Sequence, residues 1–222
     1  MAKIVAITGI DGSGKTTSAR NLHARLSKAG HDTAYQHQFD SIFARVVNAF
    51  RFSKAGEASR IGIEPAAEPW RHAGAPVDKP ARGSLLKTLA AHLALTLLAI
   101  RANKARLSGR DYLVFDRYFY DDFVRLQQRY GVSAGFFRLI EFLVPRPVLL
   151  VNLEADPRTT YKRQVDVDCS FVKYSEKLSL HRAMIAELER MGLNTISIDT
   201  GSADEAQVIA RIESALSERS AV

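Results

Sequence analysis

Short apolar runs alternate with longer amphipathic stretches along most of this chain. The first run, 4–7, is rich in β-branched residues, which is typical of a buried strand. Residues 16–29 repeat apolar positions at helical spacing and stop at Gly30, which predicts a helix. Repeated alternation of this kind favours a mostly parallel, doubly wound sheet of about five strands. We therefore predict an α/β fold of three layers, with helices on both faces of the sheet.

The remaining elements follow from the same pattern. Further strands are predicted at 33–37, 112–115, 148–153 and 194–199. Further helices are predicted at 40–52, 84–107, 121–130, 134–143, 157–164, 175–191 and 203–217. The stretch 53–83 has no sustained period and holds four prolines and four glycines, so we expect a long loop or insertion there.

A phosphate-binding loop joins the first strand to the first helix. Residues 9–17 read Gly-Ile-Asp-Gly-Ser-Gly-Lys-Thr-Thr and match G-x-x-x-x-G-K-[ST]. In this setting backbone N–H groups converge on phosphates, Lys15 reaches the β- and γ-phosphates, and Thr16 binds Mg²⁺. The alternative is a chance glycine-rich turn, expected about once in a hundred chains of this length. The residues expected to bind ATP are Gly9, Asp11, Gly12, Ser13, Gly14, Lys15, Thr16 and Thr17.

A second chemical cluster follows the apolar run 113–115. Asp116 ends this strand, where a carboxylate can hold Mg²⁺ or accept a proton from a nucleophile. Capping of the next helix is the alternative role. Arg117 beside it can bind an acceptor phosphate through two parallel hydrogen bonds.

Together these motifs resemble those of the thymidylate kinases, a branch of the P-loop nucleoside monophosphate kinases. The resemblance runs nearly end to end: a loop of the form Gly-x-Asp/Glu-Gly-x-Gly-Lys-Thr-Thr, a helix ending in Ala-x-Arg at 99–101, and Asp-Arg-Tyr at 116–118. It implies the P-loop NTPase fold and transfer of the ATP γ-phosphate to a nucleoside monophosphate, with dTMP the first candidate. Mg²⁺ is the implied cofactor.

The resemblance also implies roles for individual residues. Asp11 would lie near the acceptor's sugar hydroxyl or a phosphate-binding arginine. Arg101 and Arg117 would hold the acceptor phosphate, Tyr118 would contact the acceptor's sugar, and Asp116 would serve the metal. Family members without an arginine in the phosphate loop supply a catalytic one from a small lid. Because position 12 is Gly12, we expect the lid, at about 158–174, to supply it, with Arg163 the first candidate.

The acceptor half departs from the family pattern. Residues 36–39 read Gln-His-Gln-Phe where the family has a Phe-Pro-x-Arg-like element. Asp121 stands at a usual serine position, and the lid contains Asp166 and Asp168. Two alternatives therefore stay open: a kinase for another small acceptor, such as a nucleoside or a sugar-linked metabolite, and a nucleotide-binding regulator. With a hydroxyl acceptor, Asp116 would have to act as the base.

Composition adds expectations about organisation and partners. The length of 222 residues suits one domain, 1–222, and the formal charge of +7 comes without a basic run of five, which favours polyanionic small substrates over nucleic acid. The apolar stretch 85–100 is too short to span a membrane and includes Lys87 and His92. Its apolar face predicts either a buried core helix or a homodimer interface. A single cysteine, Cys169, and no visible signal peptide favour a cytoplasmic location.

Overall fold

The computed structural model describes residues 1–37, 96, 100, 102–130, 134–163 and 171–220. The strands are β1 (Lys3–Gly9), β2 (Thr33–His37), β3 (Tyr112–Asp116), β4 (Leu149–Glu154) and β5 (Thr195–Asp199). The helices are α1 (Lys15–Lys28), α2 (Phe119–Tyr130), α3 (Ala134–Leu143), α4 (Pro157–Arg163), α5 (Phe171–Arg190) and α6 (Glu205–Ser220). Residues 102–106 are also helical. The predicted helix at 40–52, the predicted insertion at 53–83 and most of the predicted helix 84–107 lie outside the described residues.

The five strands form one parallel sheet in the order β2-β3-β1-β4-β5. Because all strands run the same way, their carboxyl ends meet at one edge. The register pairs Asp116 with both Ile7 and His37, and it pairs Gly9 with Leu153. Ligands of such sheets bind outside the carboxyl ends, near the strand where the winding reverses. The glycine loop after β1 and the Asp-Arg pair after β3 are therefore neighbours.

Helices cover both faces of the sheet, as the unbroken apolar runs of its central strands predict. On one face, Val5, Ile7 and Val114 pack with α1 and α6. On the other, Ile4, Ala6, Leu113 and Phe115 pack against α2, α3 and α5. The prediction of a three-layer α/β fold with a parallel sheet of five strands is confirmed.

Two helices begin earlier than predicted, because side-chain contacts cap or extend their first turns. Helix α2 begins two residues before the predicted start because the Asp121 carboxylate accepts a hydrogen bond from the Tyr118 backbone N–H. Helix α5 begins at Phe171 instead of 175, where the Phe171 ring contacts those of Tyr161 and Tyr174. Tertiary contacts of this kind are not visible in helical periodicity.

Two predictions, on a membrane span and on a homodimer interface, concern the apolar stretch 85–100. Within the described ranges no helix is both long and apolar enough to cross a bilayer. The face of 85–100 lies almost entirely outside those ranges, so the homodimer stays a prediction. Helix α3 exposes three large apolar side chains, Leu139, Phe142 and Leu143.

Candidate phosphate-binding site

The loop between β1 and α1 depends on glycine at two positions where no other residue fits well. Gly12 and Gly14 both have a φ of 86°, in the left-handed region. Gly14 immediately precedes α1. A Cβ atom on Gly12 would lie 2.4 Å from the Thr160 carbonyl oxygen on α4. The loop is therefore packed closely against the helix that follows β4 and has no room for a side chain at Gly12.

Lys15, the first residue of α1, is buried beneath this loop, with only 4% of its side chain exposed. Its ammonium group donates a hydrogen bond to the Ile10 carbonyl oxygen at 2.7 Å. Burial lowers the pKa of Lys15 to about 8, and the nearby Arg117 charge adds to the lowering while Asp11 opposes it. An anion bound at the loop would favour the charged form of this lysine.

Three cations surround the carboxylate of Asp11. Arg117 Nη2 lies 2.6 Å and Lys15 Nζ 3.6 Å from Asp11 Oδ1, and Lys177 Nζ contacts Asp11 Oδ2. Burial alone would raise the pKa of Asp11, but Lys15, Lys177 and Arg117 together hold it well below its usual range. The carboxylate is thus ionised, and the cluster carries more positive than negative charge.

The backbone at Arg117 is unusual. Its φ of 68° is the only positive φ of a non-glycine residue in the described part of the chain. Its N–H donates to the Ile7 carbonyl oxygen at 2.9 Å. The chain therefore turns sharply after β3, and the guanidinium group reaches the phosphate loop. Asp11 and Arg117 were both predicted site residues, and the structure brings them together.

Lys177 was missed by sequence reasoning, although the structure places it at the loop. It lies on α5, one turn after Tyr174, whose hydroxyl donates to the Asp11 carbonyl oxygen at 3.1 Å. Tyr174 is fully buried, and it packs with Ile10 and Leu178. A tyrosine and a lysine three residues apart are common on helices, so the sequence carried no signal that could have identified Lys177.

Asp116 lies at the edge of the sheet beside this cluster and is fully buried. One carboxylate oxygen, Oδ2, accepts a hydrogen bond from the Tyr35 hydroxyl at 2.8 Å and lies 2.7 Å from His37 Nδ1. The other, Oδ1, has no partner among the described residues. Mg²⁺ prefers oxygen ligands and uses one or two carboxylates together with phosphates. The Asp116 carboxylate therefore fits the predicted metal role, as does the half-buried Thr16 at the start of α1.

The other predicted nucleotide-binding residues occupy the same loop and the start of α1. The hydroxyl of Ser13 is buried without a hydrogen-bond partner in the described ranges, while Thr17 is exposed.

Tyr118 does not lie in the site. Its side chain is 1% exposed, and its hydroxyl donates to the Pro145 carbonyl oxygen at 2.6 Å. Its ring contacts Phe115 and Tyr120 edge-on, and burial raises the pKa of its hydroxyl well above the usual value. The structure thus assigns Tyr118 to the core, which does not agree with the expected contact to an acceptor's sugar. The sharp turn at Arg117 is the physical reason, because it directs the next residue inward.

Asp121 is buried in the first turn of α2. Its Oδ2 accepts hydrogen bonds from the Thr8 hydroxyl at 2.9 Å and from the Tyr118 N–H at 3.1 Å. These contacts give it a structural role in capping α2 and anchoring it to β1.

Two predicted cations are not placed by the structure. Arg101 lies outside the described residues. Arg163 ends α4, and only its backbone is described. The tip of the predicted lid, 164–170, also lies outside, together with Asp166 and Asp168. The roles expected of these residues stay predictions.

We expect Gly12→Ala to destabilise the protein and weaken nucleotide binding. The new Cβ would clash with the Thr160 carbonyl oxygen, and the left-handed φ adds a cost of about 1–2 kcal/mol. Gly30→Ala is a matched control, since Gly30 has a φ of 89° but nothing within 4 Å of the added Cβ. Denaturant unfolding and nucleotide titration compare the two variants. Equal losses of unfolding free energy in both would contradict the close approach of loop and helix.

Comparison with known proteins bears on the fold. No protein-family model matches the sequence, and no curated protein matches it. Among solved structures, the thymidylate kinase of Ehrlichia chaffeensis aligns over 97% of this chain and 98% of its own, with 15% identity and a TM-score of 0.57. The thymidylate kinase of Candida albicans aligns over 99% and 92%, with 14% identity and a TM-score of 0.60. The deoxyadenosine kinase of M. mycoides aligns over 97% and 99%, with 12% identity and a TM-score of 0.58. The chain therefore has the fold of the P-loop nucleotide kinases.

Proposed function

We propose that this protein is an ATP-dependent phosphotransferase of the nucleoside monophosphate kinase type, with dTMP the first candidate acceptor. One observation carries the proposal: Lys15, Arg117 and Lys177 converge on Asp11 beside a glycine loop at the carboxyl edge of a parallel sheet. The three cations can bind a polyphosphate at the loop through charge-assisted hydrogen bonds, with the Asp116 carboxylate beside them as a ligand for Mg²⁺. The fold shared with nucleotide kinases supports the same function.

The donor half is formed by the loop and α1. Backbone N–H groups of 9–16 and the Lys15 ammonium would bind the ATP phosphates. Thr16 and Asp116 would hold Mg²⁺, which neutralises charge on the β- and γ-phosphates when bound. The buried position of Lys15 favours this role, because a charge in a water-poor site interacts more strongly with phosphate than an exposed one.

The acceptor half is centred on Arg117. A guanidinium can bind a phosphate through two parallel N–H donors, and the contact of Arg117 Nη2 with Asp11 places this group beside the phosphate loop. In the transfer, an acceptor phosphate oxygen bonds to the γ-phosphorus while the bond from that phosphorus to the β,γ-bridging oxygen breaks. ADP leaves with the electron pair of that bond. A phosphate nucleophile is already anionic, so the step needs no general base.

A second candidate is phosphorylation of a hydroxyl group, as on a nucleoside. The contact of Asp116 with His37 and Tyr35 favours it, because β2 ends in these polar groups instead of the family's Phe-Pro-x-Arg-like element. With a hydroxyl acceptor, Asp116 would take the proton as the oxygen attacks.

An acceptor panel tests both candidates. We expect ADP release in a coupled assay to depend on a nucleoside monophosphate and to be highest with dTMP. Nucleosides and sugar-linked metabolites form the second arm, and ATP without acceptor forms the third. Turnover with nucleosides but not with nucleoside monophosphates would favour the second candidate, phosphorylation of a hydroxyl group. Slow ADP release that no acceptor stimulates would refute a kinase and favour a nucleotide-binding regulator.

A further inference from the structure

Negative charge on the phosphoryl group during transfer is stabilised by a further cation besides Lys15. The phosphate loop and the predicted lid are the two elements expected to supply it. Position 12 of the loop is Gly12, where the Thr160 carbonyl oxygen excludes any side chain. The lid tip, 164–170, reads Gln-Val-Asp-Val-Asp-Cys-Ser and contains no lysine or arginine. Within the predicted lid, 158–174, a cation can therefore come only from the helices on either side of the tip.

Among the cations on these helices whose side chains the structure describes, Lys177 on α5 is the one that lies at the phosphate loop. The side chains of Lys162, Arg163 and Lys173 lie outside that description. Lys177 contacts Asp11 Oδ2 through its ammonium, and its side chain is 20% exposed, compared with 4% for Lys15. It is therefore at the loop and still accessible to a ligand. Arg158 on α4 is exposed and makes no hydrogen bond or ion pair with the loop within the described ranges.

The position of Lys177 is fixed by its neighbours on α5. Tyr174, one turn earlier, is fully buried and donates its hydroxyl to the Asp11 carbonyl oxygen at 3.1 Å. Leu178, the next residue, packs with Ile10 and Tyr161 in the small apolar cluster under the loop. A long side chain that is held at its base and at its charged end loses less freedom when it acts on a ligand.

We propose that Lys177 is a catalytic residue that stabilises the phosphoryl group during transfer. This proposal rests on the proposed function. A lysine ammonium has three N–H donors, so Lys177 can keep its contact with Asp11 and direct the other donors at phosphoryl oxygens. Asp11 then acts as the positioning residue. The acceptor oxygen bonds to the γ-phosphorus, the β,γ-bridging oxygen leaves with ADP, and Lys177 keeps its proton throughout.

The test compares Lys177→Met with Lys177→Arg, using the best acceptor from the panel. Methionine keeps the apolar stem without the charge, and Asp11 keeps Arg117 and Lys15 as partners, so the fold should persist. We expect Lys177→Met to lower kcat about a hundredfold with little change in the KM for ATP, because the contact is strongest in the transition state. Lys177→Arg should recover most of the lost kcat.

Binding of ADP with aluminium fluoride, a mimic of the transferring phosphoryl group, gives a readout that a structural role would not change. Lys177→Met should weaken this complex far more than ATP binding, and thermal unfolding should stay close to that of the unsubstituted protein. Arg182→Ala, which removes an exposed charge from the same helix, is the matched control and should leave all readouts unchanged.

Each outcome decides between the proposals. A kcat within about twofold of the unsubstituted protein, or equal weakening of ATP and the mimic, refutes the role of Lys177 and leaves the kinase function standing. A large loss of kcat in Arg163→Ala alone would assign the role to the lid arginine instead. Absence of acceptor-dependent transfer in the unsubstituted protein refutes the proposed function, and with it this inference.

Discussion

Lys15→Ala should reduce acceptor-dependent ADP release by about a hundredfold or more. Lys15 is the buried cation of the loop, and its ammonium lies next to the Ile10 carbonyl oxygen and the Asp11 carboxylate. Arg117 and Lys177 contact Asp11 from other elements, so neither can take the place of a side chain that rises from the start of α1. The loss should appear mainly in kcat, measured in the coupled assay at saturating ATP.

Two further variants separate the lost charge from other effects of this substitution. Lys15→Met keeps the buried stem and should lose nearly as much activity as Lys15→Ala. Lys28→Ala removes an exposed lysine from the last turn of α1 and should behave like the unsubstituted protein. Turnover close to normal in both Lys15 variants would overturn the phosphate-loop interpretation.

Arg117→Ala should impair use of the acceptor much more than binding of ATP. A hydrogen bond to a charged group contributes about 1.5–3 kcal/mol, so kcat/KM for the acceptor should fall by about tenfold to a hundredfold. Binding of ATP rests on the loop and Lys15, and its dissociation constant should change only severalfold. Steady-state kinetics with each substrate varied in turn, together with direct ATP titration, measure both effects.

The control for Arg117 lies at the opposite end of the same strand. Arg110 is exposed, and it pairs with Asp32 at 2.6 Å just before β3 begins, far from the carboxyl edge. Arg110→Ala removes a similar guanidinium without touching the site, so neither substrate should be affected. If Arg117→Ala weakened both substrates equally, its contact with Asp11 would be structural.

The sequence was sufficient to predict the fold and to locate the candidate phosphate loop. Apolar runs such as 4–7 and 112–115 form the central strands of the sheet. A strand that helices cover on both faces has apolar residues on both sides, which gives an unbroken apolar sequence. The glycine loop was recognisable because its pattern is local: nine consecutive residues match the phosphate-binding motif. Local patterns of this kind need no knowledge of the rest of the fold.

Contacts between distant residues were not predictable in this way. Lys177 and Asp11 are 166 positions apart, and His37 and Asp116 are 79 apart. Nothing in the sequence around Lys177 distinguishes it from a solvated helix residue until α5 is packed against the loop. Tyr118 was assigned by its place in Asp-Arg-Tyr, yet the left-handed backbone at Arg117 turns its side chain into the core.

The chain passes from the phosphate site into the core within three residues after β3. Asp116 and Arg117 belong to the site, whereas Tyr118, Phe119 and Tyr120 are almost fully buried among aromatic rings. A substitution in this segment therefore acts on stability and on chemistry at the same time. Residues 116–120 can therefore tolerate few of the substitutions that a new acceptor preference would need. The end of β2 can tolerate more, because His37 is partly exposed there. The departures from the thymidylate kinase pattern at 36–39 occur at that more permissive position.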